Sequence, residues 1–130
     1  MASQLLVDLY ECDVEIIDNM EKIKNLSHKV IKEIGSEIVE ECFHKFSPIG
    51  ITYIAVITTS HFSIHTWPEY KYVAVDVFSC DIELVAVCQE IYVLPAGICL
   101  RVVVAVNGVL LIPLLIMVLL VTTLASEPIQ

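Results

Sequence analysis

Between Ile51 and Ser79 the chain reads ITYIAVIT, then HFSIHT, then YVAVDVFS, three β-branched and aromatic stretches with only a few residues between them. Strands joined that briefly pair antiparallel, because a parallel connection needs a dozen or more residues to cross the sheet. The third stretch alternates: Val73, Val75 and Val77 share one face, Ala74, Asp76 and Phe78 the other. The second stops at Trp67-Pro68, since proline has no N–H to give a ladder. A sheet built this way has an apolar face that something must cover.

The N-terminal third supplies the cover. Gln4 to Cys12 (QLLVDLYEC) reads as a first strand. Asp18 or Asn19 can cap a following helix, with Glu21 in its first turn. Met20, Ile23, Leu26 or Ser27, Val30, Ile31 and Ile34 recur at three- and four-residue steps, and Lys22, Lys24, Lys29, Lys32 and Glu33 take the other face. Gly35 is placed to end the helix. His28 is expected to be a solvated surface residue. Glu37 to Lys45 is a second strand, and Ser47-Pro48-Ile49-Gly50 a turn. The class is α+β: a two-layer α/β sandwich, with a mostly antiparallel sheet and helices on one face.

At 130 residues, a single compact domain occupies most of the chain, set here at residues 1–100. A net charge of −9 with seven dispersed basic residues excludes a nucleic-acid-binding surface, which needs clustered Lys and Arg. Five cysteines show no C-x-x-C pair and no zinc spacing, and no signal peptide is visible. Free thiols in a cytoplasmic setting, and no metal, are the simplest expectation.

Chemistry concentrates between Thr58 and Cys80, TTSHFSIHTWPEYKYVAVDVFSC. A hydroxyl (Ser60), an imidazole (His65) and a thiol (Cys80) suit nucleophilic or acid–base work; paired strands with surface histidines are the plain alternative. The string SHFSIHTWPE, followed by VDVFSC, resembles the self-processing, pyruvoyl-dependent S-adenosylmethionine decarboxylases of bacteria and archaea. Their core reads roughly E-S-H-[IL]-[ST]-I-H-T-W-P-E, then D-[VIL]-[FY]-[ST]-C-G.

That resemblance implies a chain cut between Thr59 and Ser60, with Ser60 becoming a terminal pyruvoyl group that forms a Schiff base with the substrate amine. The product would be decarboxylated S-adenosylmethionine, for spermidine synthesis. His65 matches the histidine of processing, Thr52 stands where the family has a processing serine, and Cys80 matches the thiol that protonates the product. Phe46 matches an aromatic residue that stacks on adenine, and Glu69 a carboxylate that accepts from the ribose hydroxyls. For His65, Cys80, Phe46 and Glu69 the alternatives are a strand histidine, a buried inert cysteine, a core aromatic and a solvated acid, respectively; His61 reads as structural. The family fold adds a second helix, which Asp81 to Leu94 can supply, and a last strand, which Arg101 to Val106 can supply. A homodimer of processed protomers is implied.

The pattern is broken in places. Thr59 replaces a glutamate, Asp81 a glycine, and Ala2 and Gln4 stand in place of a Gly-x-His element. Related enzymes on this fold decarboxylate ornithine or arginine, and an unprocessed relative acting as a binding or regulatory subunit is the other class of reading. Residues 101–130 form an atypical segment: Val102 to Ala125 carries no charge and is long enough for a membrane-spanning helix, with Arg101 on its flank. Competing with membrane association are a buried strand plus a hydrophobic tail, and a terminus altered by a reading-frame accident.

Overall fold

Each stretch expected to be extended between Gln4 and Ser79 is a strand in the computed structural model, which describes residues 2–80, 101–107 and 109–111. In chain order the strands are β1 (Ser3–Tyr10), β2 (Ile38–Lys45), β3 (Ile51–Ile57), β4 (Ser60–Trp67), β5 (Tyr72–Ser79), β6 (Arg101–Val106) and β7 (Val109–Leu111). They form a sheet of order β2-β3-β4-β5-β1-β6-β7 with every neighbouring pair antiparallel. Two helices, α1 (Val14–Ile17) and α2 (Met20–Glu33), connect β1 to β2. The sequence reading missed α1, a single turn capped when Asp13 Oδ1 accepts from the Glu15 N–H at 2.9 Å.

Alternation sorts the sheet into two unlike faces. Leu5, Val7, Leu9, Tyr53, Ala55, Phe62, Ile64, Val73, Val75, Val77 and Val104 are buried with Ile23, Val30 and Ile31 of α2. Side chains of this kind contribute about 1.5–3 kcal/mol each when fully buried. The other face carries Thr52, Ile54, Val56, His61, His65, Tyr72, Asp76 and Phe78, and Ile54 and Val56 on it remain exposed. No described helix covers that face.

Helix α2 is held at both ends. Asn19 Oδ1 accepts from the Lys22 N–H at 3.1 Å, the cap the sequence allowed. Neighbouring Asp18 takes the Gly50 N–H and pairs with Lys45, tying the helix entry to the β2–β3 turn. At the far end the Ser36 N–H donates to the Ile31 carbonyl and the Gly35 N–H to that of Lys32, with Gly35 at φ +77. This is the paired closure that needs a residue free of Cβ strain.

Three expectations change. His28 is not simply solvated: its Nε2 lies 2.6 Å from Glu41 Oε2, which also accepts from the Tyr53 hydroxyl at 2.6 Å. The one helix turn that faces β2 brings it there, a contact between residues 13 apart that periodicity cannot register. The hydrogen bonds from Tyr53 and then His28 hold the Glu41 carboxyl below its ordinary range, while burial pushes the Tyr53 phenol upward. Second, Cys12 is disulfide-bonded, not a free thiol; Cys42 and Cys80 are free. Cysteine spacing along the chain does not report which thiols the fold buries together. Third, the apolar run from Val102 does not begin as a spanning helix. β6 is zipped to β1 from Leu5↔Val106 to Tyr10↔Arg101, and β7 follows it, so the strand reading of Arg101–Val106 holds. Among the described residues no helix is long and apolar enough to cross a membrane. The expected helix at 81–94, the Asp81 turn and residues 112–125 of the tail lie outside the described residues.

Candidate active site

The β3–β4 hairpin turns on two residues, Thr58 and Thr59, between the paired Ile57 and Ser60. Two-residue hairpins normally place positive φ within the loop, on Gly or Asn. Here neither threonine takes it; Ser60 does, at φ +156. A serine in that region costs on the order of 1–3 kcal/mol and persists only where surrounding contacts impose it. The contacts are visible. Ser60 is paired on both sides, with Ile57 and with Ser79. Just beyond, the Cys80 N–H donates to the Thr59 carbonyl oxygen at 3.1 Å. A donor on that oxygen withdraws charge from the carbonyl carbon that precedes Ser60 and stabilises an oxyanion formed there.

Thr59 is also gripped from its side chain. Its Oγ1 lies 3.1 Å from Ser36 Oγ, which in turn lies 2.9 Å from Thr58 Oγ1. The Glu37 N–H donates to Thr58 Oγ1, and the Thr58 N–H to the Glu37 carbonyl. Cys80 is exposed, which overturns the buried, inert alternative for its thiol.

The remaining sequence-derived residues gather at the opposite end of the sheet. Thr52 Oγ1 is 2.9 Å from His65 Nδ1, across a directly paired position of β3 and β4. The His65 ring is 6.1 Å from Trp67, Trp67 stacks on Tyr72 at 5.2 Å, and Tyr72 lies 5.3 Å from Tyr10. Burial, then its hydrogen bond to Asp8, raises the Tyr72 phenol well above its usual value. Phe46 meets the edge of His44 at 4.6 Å and is 49% exposed, so it is not a core aromatic. It precedes the turn closed when the Phe46 N–H donates to the Gly50 carbonyl, where φ +112 requires glycine. Glu69 is exposed in the 3-10 turn Pro68–Tyr70 that ends β4.

The structure therefore brings Thr59, Ser60 and Cys80 together at one end, and Phe46, Thr52, His65 and Glu69 near the other. Ser60 and His65 are five residues apart on one strand, roughly 16 Å at about 3.3 Å per residue, and alternation points them to opposite faces. Strand β4 runs straight between them, with unbroken pairing to β5.

Two groups escaped the sequence reading. One is Ser36, whose hydroxyl reaches the hairpin only because α2 ends beside it. The other surrounds His61, set aside as structural: its Nε2 is 3.6 Å from Asp76 Oδ2, its ring stacks on Phe78, and Gln4 Nε2 donates to Asp76 Oδ1 at 3.3 Å. Gln4 thus keeps a donor where the resembled family has its own element. Alternation places Asp76 and Phe78 on one face, but nothing in the spacing links Asp76 to a residue 72 positions away.

Comparison with known proteins adds independent findings. A family model described as S-adenosylmethionine decarboxylase matches residues 3–92. The S-adenosylmethionine decarboxylase proenzyme of Moorella thermoacetica is 46% identical over 80 residues, covering 62% of this chain and 64% of that protein. The proenzymes of Thermosipho africanus and Thermotoga maritima are 44% and 42% identical over 80 residues, each covering 62% of both chains. The match thus spans a little under two thirds of these relatives' length. The crystal structure of the adenosylmethionine decarboxylase from Aquifex aeolicus superposes with a TM-score of 0.73 at 28% identity, over 83% of this chain and 89% of that one.

Proposed function

The chain belongs to the S-adenosylmethionine decarboxylase family, and on that premise we propose that it cuts itself between Thr59 and Ser60 and then decarboxylates S-adenosylmethionine, feeding spermidine synthesis. The observation that carries this reading is the hydrogen bond from the Cys80 N–H to the Thr59 carbonyl, made beside a serine in a costly backbone conformation.

Self-cleavage follows from the chain's own atoms. Ser60 Oγ attacks the Thr59 carbonyl carbon while the Cys80 N–H takes up charge on its oxygen. The C–N bond breaks as a proton reaches the nitrogen, and an ester replaces the amide. Loss of the Ser60 Cα proton expels Thr59 as a carboxylate and leaves dehydroalanine, which water converts to a terminal ketone with release of ammonia. An imidazole, with both a donor and an acceptor nitrogen, suits these proton movements, and His65, held by Thr52, is the candidate.

The hairpin fits the resulting pyruvoyl group, since Ser60 heads a strand and an exposed thiol lies next to its partner residue. Such a ketone condenses with a substrate amine and accepts the electrons left when carbon dioxide departs, chemistry no ordinary side chain supplies. Cys80 holds a proton at Sγ for the carbon that loses carbon dioxide. Phe46, exposed beside the turn, offers an adenine a ring face, and Glu69 offers ribose hydroxyls a carboxylate.

The separation of Ser60 from His65 supports a homodimer. Two copies related by a two-fold axis can set the Ser60 end of one against the His65, Phe46 and Glu69 end of the other. Each site then draws on both chains.

Intact mass spectrometry of the purified chain tests the first half. Fragments 1–59 and 60–130, the second one ammonia lighter than its serine-terminated form, are expected. A single uncut chain refutes self-cleavage and leaves the binding-subunit reading. Carbon dioxide release from carboxyl-labelled S-adenosylmethionine, set against labelled ornithine and arginine, tests the substrate.

A further inference from the structure

We propose that Ser36 is a positioning residue for the self-cleavage reaction, clamping Thr59 so that its carbonyl stays aligned with both the Ser60 hydroxyl and the Cys80 N–H; this rests on the reading that the Thr59–Ser60 bond is cut.

Ser36 is 5% exposed and lies outside every strand and helix. Its place is nevertheless fixed, because its N–H is spent on the Ile31 carbonyl in the closure of α2. From there its hydroxyl reaches both residues of the hairpin loop, at 2.9 Å for Thr58 and 3.1 Å for Thr59. The same loop is bonded to Glu37 through Thr58 by a donor and an acceptor. A two-residue loop of β-branched threonines, which neither adopts positive φ, has no intrinsic preference for this turn. The helix terminus supplies what the loop lacks.

The consequence is local and mechanistic. Thr59 is bonded on two sides, by Ser36 at its hydroxyl and by Cys80 at its carbonyl oxygen, so the peptide plane before Ser60 cannot swing. Attack by the Ser60 hydroxyl needs that plane presented at a narrow range of angles, and alignment of this kind is worth large factors in rate. A side chain with a hydroxyl at position 59 is what Ser36 grips, and this chain has threonine there. Ser36 touches no reacting atom itself.

The test follows cleavage of newly translated full-length chain with time, by intact mass, with and without hydroxylamine, which cuts an ester but not an amide. Ser36→Ala is expected to slow cleavage roughly tenfold, about one net hydrogen bond expressed in the transition state. Hydroxylamine does not restore the rate, because the lost step precedes the ester. Thr59→Val is expected to slow it comparably, and the double variant little further. Ser36→Thr, which keeps the hydroxyl, recovers most of the rate. Thermal unfolding of each uncut variant shows whether the fold persists, and Thr59→Val, at the half-exposed loop, perturbs the core least.

Ser36→Ala cleaving at the parental rate overturns the inference, as do additive losses in the double variant or full rescue by hydroxylamine. A parent chain that stays whole with and without hydroxylamine overturns the self-cleavage reading and the inference with it. Only the first set leaves self-cleavage standing.

Discussion

If each site is shared between two copies, defects at its two ends must complement one another. Ser60 and His65 are separated by five residues of an unbroken strand, about 16 Å, and lie on opposite faces. No rotamer of His65 closes such a gap within one chain. Consider Ser60→Ala in one chain and His65→Ala in another carrying an affinity tag. Alone, the first has nothing to convert, and the second loses its proton carrier and cleaves roughly 10²-fold more slowly or worse. Co-translated in equal amounts they assort into homodimers and heterodimers at about 1:2:1, so about half of the tagged chains face a partner with an intact His65. About half of the tagged chain is therefore expected in the form of two fragments. The readout is the cut fraction of tagged chain on a denaturing gel, confirmed by mass. Tagged chain that stays whole in the mixture, while untagged wild type cleaves, refutes the shared site; so does His65→Ala cleaving unaided at the parental rate.

Three further outcomes are expected. Cys80→Ala keeps the backbone N–H that contacts Thr59, so self-cleavage persists within about threefold, while decarboxylation falls roughly 10²-fold or more; mass spectrometry and carbon dioxide release measure the two separately, and equal losses in both count against the assignment. Tyr53→Phe removes one donor from Glu41 but leaves His28 and Lys24, costing about 1.5 kcal/mol, or roughly 5 °C in Tm by calorimetry. Glu41 is held below its ordinary range in the folded chain, so its contribution is complete above that range and drains away as pH falls below about 4; Glu41→Gln flattens this arm of a stability–pH curve.

Much of the fold was legible because it is written in local periods. The valines of β5 announced a two-faced strand, Gly35 announced the end of α2, and Trp67-Pro68 the end of β4. What was hidden is contact between distant residues. His28 meets Glu41 only because α2 lies across β2, and Ser36 meets Thr59 only because that helix ends beside the hairpin. The tail read ambiguously for a related reason. A strand next to β1 presents Val104, buried at 1% exposure, and its neighbours as an unbroken apolar run, and such a run reads equally well as a spanning helix.

The positions of the candidate residues on the sheet were only partly legible. Ser60, His65 and Cys80 stand close in sequence, but alternation alone sets Ser60 and His65 on opposite faces unless the strand bends near Ser60 or the new terminus is released after cleavage. The sheet keeps Ser60 beside Cys80 and carries His65 to its other end, because a strand converts sequence distance into length more efficiently than any other element. The same geometry bears on the departure from the family at Thr59. The donor on the Thr59 carbonyl oxygen comes from the backbone of Cys80 and does not depend on the side chain at position 59. Thr52, standing where the resembled proteins have serine, still presents an oxygen 2.9 Å from His65. At position 59 this chain presents a hydroxyl that lies 3.1 Å from Ser36 Oγ, the contact that the Ser36→Ala and Thr59→Val variants probe.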